Sequence, residues 1–598
     1  MTDLLEIEDP YDRRLAHGVD GVLAAFNRAG VLSSADVRIA VRVSDVVGEA
    51  SEPVRLAFAL TVRAVRNGST CVELAELVAE LGAETPDLPW PEDPVAWHAE
   101  VAHSALVDAD VPVLRADHRL VYLDRYFELE TELCRDLVSR SELDPPAPDA
   151  ELLATDLARL FPGEGYAEQR AAAHGAARRW TTILTGGPGT GKTTALARLL
   201  AVLASQATAA GAPPLRVALA APTGKAAARM KEAVAAVSEA EGFTDDERAW
   251  LRDLEASTMH RLLGFRPDNS TRFRHDRRHR LPHDVVVVDE SSMVSLTLMA
   301  RLVEAVRPDS RLLLVGDPDQ LASIEAGTVL RDLVGGWADG PTSPVAQLVN
   351  EHRFGDEIGT LASAVRDGDA DRAIEVLRAG HAGVRLLDEG TETVQGLVLP
   401  GARAMRDAAE AGDVEAALAE LDRHRLLCAH REGPYGAETW NAQVERWLDE
   451  DAGHMLGRPW FAGRPVLVTE NDRGLRLYNG DTGVTVPAGE GLAVVVAEQE
   501  RRRFAPSRLG AVQTAYAMTV HRSQGSQFEH VTVLLPGDES RLLTRELLYT
   551  ALTRAQTTVT LIGSEDAVRR AIATRVLRAS GLAERLSDAV AERSPPGT

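Results

Sequence analysis

Lysine is nearly missing from this chain. Of 65 basic residues only Lys192, Lys225 and Lys231 are lysine; the other 62 are arginine. GC-rich coding puts arginine wherever a generic positive charge suffices, so a surviving lysine is a candidate for chemistry that arginine cannot supply. Cysteine is equally scarce: Cys71, Cys134 and Cys428 lie far apart, with no CxxC pair. That excludes a disulfide scaffold, a four-cysteine zinc site and a cysteine-ligated iron–sulfur cluster. No apolar run approaches the roughly 18 residues of a membrane span. Residues 1–10 carry four acids and no base, unlike a signal or transit peptide. The expectation is a cytoplasmic protein with no membrane segment. Aromatics are only 5%, yet 45% of the 598 residues are hydrophobic, ample for buried cores. This length corresponds to about three or four domains.

Positive charge is short overall, and unevenly so. The net charge is −25, and residues 1–150 hold 13 basic and 29 acidic residues, a local −16. The remaining 448 residues sum to only −9. Phosphate backbone repels a strongly acidic segment, so nucleic acid is not expected on the first quarter of the chain. The rest is close enough to balance to carry local basic tracks.

Proline-rich breaks at 85–94 and 143–150 interrupt the N-terminal part. Proline and the residue before it both resist helix, so the second break marks an interdomain linker. Helical apolar spacing at 53–66 and 70–81 predicts a mostly helical domain over 1–143, carrying no chemical motif and suited to docking a partner. After residue 165 short β-rich runs alternate with helical stretches, at 182–185, 217–220, 285–289 and 312–316. This is the pattern of a parallel sheet with crossover helices. The alternation returns at 465–469, 514–517, 531–535 and 559–562. Two α/β units are expected, over 150–340 and 341–590, joined near 336–343. The glycine-rich stretch 471–510 lacks helical period and is expected to form a small β-barrel inserted into the second unit.

Gly186-Gly187-Pro188-Gly189-Thr190-Gly191-Lys192-Thr193 fits GxxxxGK[ST] between an expected strand and a helical stretch beginning at Thr194. The glycines let backbone N–H groups curl round a β-phosphate. Lys192 supplies charge at the β- and γ-phosphates, and the Thr193 hydroxyl suits Mg²⁺. Four valines, 285–288, end in Asp289-Glu290, and two carboxylates at the tip of a buried strand need a partner. Asp289 can hold Mg²⁺ and Glu290 can act as general base towards water. The segment 316–321, GDPDQL, is by itself a turn. Gln320 gains meaning only as a third strand-end residue beside the same nucleotide.

Two later segments, 515–526 (AYAMTVHRSQGS) and 547–555 (LLYTALTRA), resemble motifs V and VI of superfamily 1 helicases. With APTGKA at 221–226, STMHRLLG at 257–264, DESSM at 289–293 and NGDTG at 479–483, the chain is most similar to the RecD family, the alpha subunit of bacterial exodeoxyribonuclease V. The resemblance runs from about residue 165 to 565. It implies two RecA-like P-loop motor domains, an SH3-like insert, ATP and Mg²⁺ as cofactors, and 5′→3′ movement on single-stranded DNA, the 5′-ended strand. The implied partners are RecB-like and RecC-like subunits in double-strand break processing. Arg554, and Arg353 in NEHRF, match the family's two γ-phosphate arginines. Gln169, 17 residues before the first glycine, matches its adenine-reading glutamine. The implied DNA contacts are Thr223, Lys225, Thr258, His260, Thr519, His521 and Ser523. Six arginines and Phe273 at 266–280 match a small inserted hairpin (265–282) used as a wedge, or form a solvated basic loop. No carboxylate-plus-lysine nuclease motif is present in the sequence, so the nuclease centre is expected in another subunit. A self-standing 5′→3′ helicase and an ATP-switched, non-motor regulatory subunit are the alternatives.

Overall fold

The computed structural model describes residues 12–266, 269–337, 343–350, 356–452, 458–472, 474–497, 501–537, 540–576 and 578–592. The N-terminal part is helical round a small antiparallel sheet, β1 (Cys71–Glu73), β2 (Leu114–Asp117) and β3 (Leu120–Leu123), in the order β1-β3-β2. The helix Glu52–Arg66 starts where Ser51 accepts a hydrogen bond from the Val54 N–H, with Pro53 in its first turn. Its apolar face joins Phe26, Leu32 and Trp97 in a closed core. The helix expected at 70–81 begins only at Leu74, because Cys71 and Val72 pair with Tyr122 and Val121.

The first parallel sheet contains β4 (Thr181–Gly186), β5 (Val217–Ala221) and β6 (Ala256–Thr258). A two-stranded hairpin follows, β7 (Phe265–Arg266) with β8 (Asn269–Phe273). The sheet then takes β9 (Val285–Val288), β10 (Arg311–Gly316) and β11 (Val345–Leu348), in the order β11-β4-β10-β9-β5-β6. All five pairings are parallel. Each valine of β9 is at most 1% exposed, as a strand covered on both faces requires.

A second parallel sheet has the order β12-β21-β20-β13-β19. Its strands are β12 (Val384–Leu387), β13 (His424–Cys428), β19 (Ala517–Thr519), β20 (Phe528–Leu534) and β21 (Ala555–Ile562). Between β13 and β19 lies a five-stranded antiparallel sheet of β14 (Pro465–Val468), β15 (Thr482–Ala488), β16 (Gly491–Val496), β17 (Arg503–Phe504) and β18 (Val512–Thr514). Among the described residues no helix is long and apolar enough to cross a membrane.

Four expected boundaries are corrected. β11 lies beyond residue 340 but pairs with β4, so the first α/β unit keeps one more strand. The runs at 465 and 514 belong to the antiparallel sheet, Val466 pairing with Thr514, so the insert spans 465–514 rather than 471–510. The helix Asp124–Ser141 packs Leu129, Leu133 and Leu137 into the first sheet's core and not the N-terminal one. The helix Leu582–Ala591 follows it there, with Leu582 and Leu586 buried, and does not stay with the second sheet. At that crossing a Cβ on Gly336 would lie 2.6 Å from the Ala583 carbonyl oxygen, so only glycine admits so close an approach. Local apolar patterning specifies that a segment is buried but not which neighbour buries it.

Candidate functional site

The carboxyl ends of β4, β9 and β10 meet on one edge of the first sheet, where open parallel sheets bind ligands. After β4, Gly189 and Gly191 take φ of +84° and +82°, left-handed values that curl the loop over the start of the helix Lys192–Ala209. That helix N-terminus and the loop amides form a ready anion site. Lys192 Nζ lies folded back, donating to the carbonyl oxygens of Gly186 (2.7 Å) and Gly187 (2.8 Å). Thr190 Oγ1 donates to Gly187 O at 2.8 Å. Thr193 and Thr194 follow, half-buried, in the helix's first turn. Gln169, only 3% exposed, donates weakly through Nε2 to Thr190 O at 3.4 Å, and its Oε1 is buried without a partner. The structure therefore brings Gln169 to the loop and leaves it one free acceptor.

Asp289 follows β9, and its carboxylate accepts the Glu290 N–H at 2.9 Å. Glu290 has φ +52°, a left-handed backbone rare outside glycine, which turns the chain sharply at the strand tip. Loss of water pushes the Asp289 carboxyl above its usual range, the Glu290 charge pushes it further, and Lys192 opposes both.

After β10, Asp317 and Gln320 are buried, 2% and 6% exposed. Gln320 Nε2 donates to Asp317 Oδ2 at 3.1 Å, and Gln320 Oε1 accepts from Arg554 Nη2 at 3.0 Å. Arg554 comes from the second sheet's side, just after the helix Arg545–Leu552, and is held by the carbonyls of Thr550 (3.1 Å) and Ser526 (3.3 Å). Around it the two sheets touch again: Leu321 N–H donates to Thr550 Oγ1 at 2.9 Å, and Gln524 Nε2 to Leu321 O at 2.9 Å. Arg353 lies outside the described residues.

A second row of residues runs along the same edge. Thr223, Thr258 and Thr519 each close a strand and cap the next helix, accepting the N–H of Ala226 (3.2 Å), Arg261 (3.2 Å) and Arg522 (3.3 Å). Ala221 of β5 pairs with Thr258 of β6, which sets the first two caps side by side. A Cβ on Gly525 would lie 3.7 Å from Thr223 Oγ1, which brings the segment after Thr519 against them. Lys225 is half-buried in the first turn behind Thr223. His521 is half-buried and held below the usual imidazole range, first by burial and then by Arg578. His260 is also held low by burial, and its ring meets Phe273 edge-on at 5.7 Å. Ser523 is a correction: it is fully buried, and its hydroxyl donates to Val520 O at 2.7 Å, so it supports its own turn and offers no surface contact.

The hairpin also departs from a solvated loop. Phe273 is 6% exposed in the first sheet's core, and Arg277 forks onto Asp136 at 2.9 and 2.6 Å. Phe265, 36% exposed, is the aromatic it presents outward. Asp317, Tyr549 and Gln524 were missed by sequence reasoning. The first two stand inside the quoted motifs GDPDQL and LLYTALTRA, where other polar residues surround them and no local pattern singles them out.

Comparisons with known proteins agree with this arrangement. An AAA domain model matches residues 169–326, a UvrD-like helicase C-terminal domain model 514–562, and a model of the RecBCD enzyme subunit RecD N-terminal domain 28–120. The RecBCD enzyme subunit RecD of Mycolicibacterium smegmatis is 54% identical over 95% of this chain and 99% of its own length. That of Haemophilus influenzae is 32% identical over 68% of this chain and 70% of its length. The ATP-dependent RecD2 DNA helicase of Deinococcus radiodurans is 32% identical over 68% of this chain but only 50% of its own length. With the phosphate loop, its strand-tip acids and the arginine facing them, this places the chain in the superfamily 1 helicases, and within them it belongs to the family of the RecBCD enzyme subunit RecD.

Proposed function

We propose that this chain is an ATP-dependent motor that runs 5′→3′ on single-stranded DNA, the 5′-ended strand, beside RecB-like and RecC-like subunits in the processing of double-strand breaks. One observation carries the reading: Arg554, from the second parallel sheet, hydrogen-bonds Gln320 on the edge of the first, beside the phosphate loop. A nucleotide in that cleft is read from both sides, so hydrolysis and sheet movement are linked. In this reading the two parallel sheets are RecA-like motor domains, residues 465–514 are an SH3-like insert, and residues 12–123 dock a partner.

Within the cleft, the loop amides of Gly187, Gly189, Thr190 and Gly191 and the amides of Thr193 and Thr194 hold the phosphates of ATP. Lys192 leaves the Gly186 and Gly187 carbonyls to meet the β- and γ-phosphates. Gln169 Oε1, buried and unpartnered, suits the exocyclic amine of adenine. Thr193 and Asp289 fit Mg²⁺, because both offer hard oxygen donors, one in the first turn after the phosphate loop and one at the tip of β9. The chemistry such an ion would supply, held by these two residues, is neutralisation of charge on the phosphates. Glu290 takes the proton of the attacking water at its carboxylate. Arg554 stabilises charge on the transferring phosphoryl, Gln320 senses its loss, and Arg353 is the second such arginine.

DNA phosphates suit the capped helix starts at Thr223, Thr258 and Thr519, with Lys225 adding charge and His260 and His521 as neutral donors. None of these reads a base, so movement is independent of sequence. The chain is 54% identical to the M. smegmatis subunit and 32% identical to the RecD2 helicase, which favours a subunit over a self-standing helicase. Lys192→Ala and Glu290→Gln should each abolish ATPase stimulated by single-stranded DNA, with Glu290→Gln still binding ATP. Turnover near wild type in either variant overturns the proposal.

A further inference from the structure

Gln320 does not orient itself. Its carboxamide has a donor end and an acceptor end of nearly the same shape, and either could face Arg554. The neighbours decide. Arg554 can only donate, so it requires Oε1; the Asp317 carboxylate can only accept, so it requires Nε2. The observed contacts, 3.0 Å and 3.1 Å, satisfy both. Asp317 is in turn held by two donors, the Asp319 N–H at 3.0 Å on Oδ1 and the Tyr549 hydroxyl at 2.9 Å on Oδ2. Tyr549 lies on the helix Arg545–Leu552, one turn before Arg554. The chain Tyr549–Asp317–Gln320–Arg554 therefore leaves the second sheet's helix, crosses to the first sheet's edge, and returns five residues later. All four side chains are 6% exposed or less, so water does not compete for these bonds.

We propose that Tyr549 and Asp317 form a clamp that fixes the polarity of the Gln320 amide and so aims the Arg554 guanidinium, making both of them positioning residues for ATP hydrolysis. The inference rests on the cleft being an ATPase site. Tyr549 supplies a donor without a charge, and that keeps Asp317 an acceptor towards Gln320. Burial raises the Asp317 carboxyl, and the Lys192 charge, the Asp319 N–H and the Tyr549 hydroxyl counter this. Were Asp317 protonated, or replaced by asparagine, it could donate; the amide could then reverse and present N–H groups to the arginine.

Tyr549→Phe keeps the ring and removes one hydrogen bond to a buried carboxylate, a loss on the order of tenfold in rate. The expected result is kcat for DNA-stimulated ATP hydrolysis lowered about tenfold, with the KM for ATP and the affinity for a single-stranded oligonucleotide within twofold of wild type. Asp317→Asn should lose more. A merely structural tyrosine is separated by a double-mutant cycle: in a Gln320→Ala background Tyr549→Phe should cost nothing further, because its target is gone. Wild-type kcat in Tyr549→Phe, a change confined to KM, or full additivity with Gln320→Ala overturns the clamp. Lys192→Ala is run alongside. If it too hydrolyses ATP, the ATPase reading has failed; if it is dead while Tyr549→Phe is normal, only the clamp has.

Discussion

Arg554 is buried and held by two carbonyls and a carboxamide instead of a carboxylate, an arrangement that leaves its charge available to a phosphoryl group. Removing it should cut DNA-stimulated turnover by a factor on the order of 10³ while ATP binding weakens far less. Fluorescent-nucleotide titration beside steady-state ATPase separates the two; loss of ATP binding together with a lowered melting point would make Arg554 structural. Glu130 is a different case, a buried carboxyl remote from the cleft. Burial pushes it up to about 7, against hydrogen bonds from Thr70 and Ser580 and the Arg585 charge, while Asp332 adds like charge. Between its unfolded value of about 4.3 and 7 the folded chain binds the extra proton. The stability this group contributes is thus full below about pH 4.3 and is lost as pH rises through 7. Glu130→Gln, which mimics the protonated acid, should raise the thermal midpoint at pH 8 and change it little at pH 5. An equal shift at both values would contradict the assignment.

The hairpin shows what an element owes to its two ends. Arg277 on Asp136 and Phe273 in the core anchor its base, while Phe265 faces outward. Replacing residues 267–271 by Asn-Gly keeps the pair Phe265–Phe273 and shortens the segment between its strands. Duplex unwinding should fall while ATPase on single strands persists; equal unwinding would return the segment to a surface loop. The phosphate loop, its strand and the valine run of β9 were legible in sequence because each couples a local pattern to a chemical demand. β12 and β13 were not: VRLL and HRLLC carry no turn chemistry or motif, and only long-range pairing with β21 and β20 makes them strands. β14 was legible as a strand yet assigned to the wrong sheet, and the run at 514–517 straddles the end of β18 and the start of β19, since alternation records burial and not the partner. Ser523 was read as a contact from its motif alone, and its hydroxyl satisfies its own backbone instead.

Over the whole molecule, the acidic first quarter presents apolar groups to solvent. Of nine exposed large hydrophobic residues among those described, Ile39, Val46, Val95 and Val111 belong to residues 12–123. A domain that DNA repels and that keeps such groups outside is suited to a protein partner. Val46→Asp, Val95→Asp and Val111→Asp together should abolish co-purification with the RecB-like and RecC-like subunits and leave DNA-stimulated ATPase unchanged; retained partners would contradict a docking role. Truncation is a poorer test, because Thr70 N–H bonds Ala579 O at 2.9 Å and the C-terminal helix Leu582–Ala591 shares its core with the first sheet, so the cut would disturb the motor itself. The central claim is directional movement along one strand powered at Lys192. Its most direct measurement is ATP-driven displacement of streptavidin from single-stranded oligonucleotides biotinylated at either end. A 5′→3′ motor strips streptavidin from the 3′ end, not from the 5′ end, and Lys192→Ala strips neither; displacement from the 5′ end, or displacement that survives Lys192→Ala, would contradict the account.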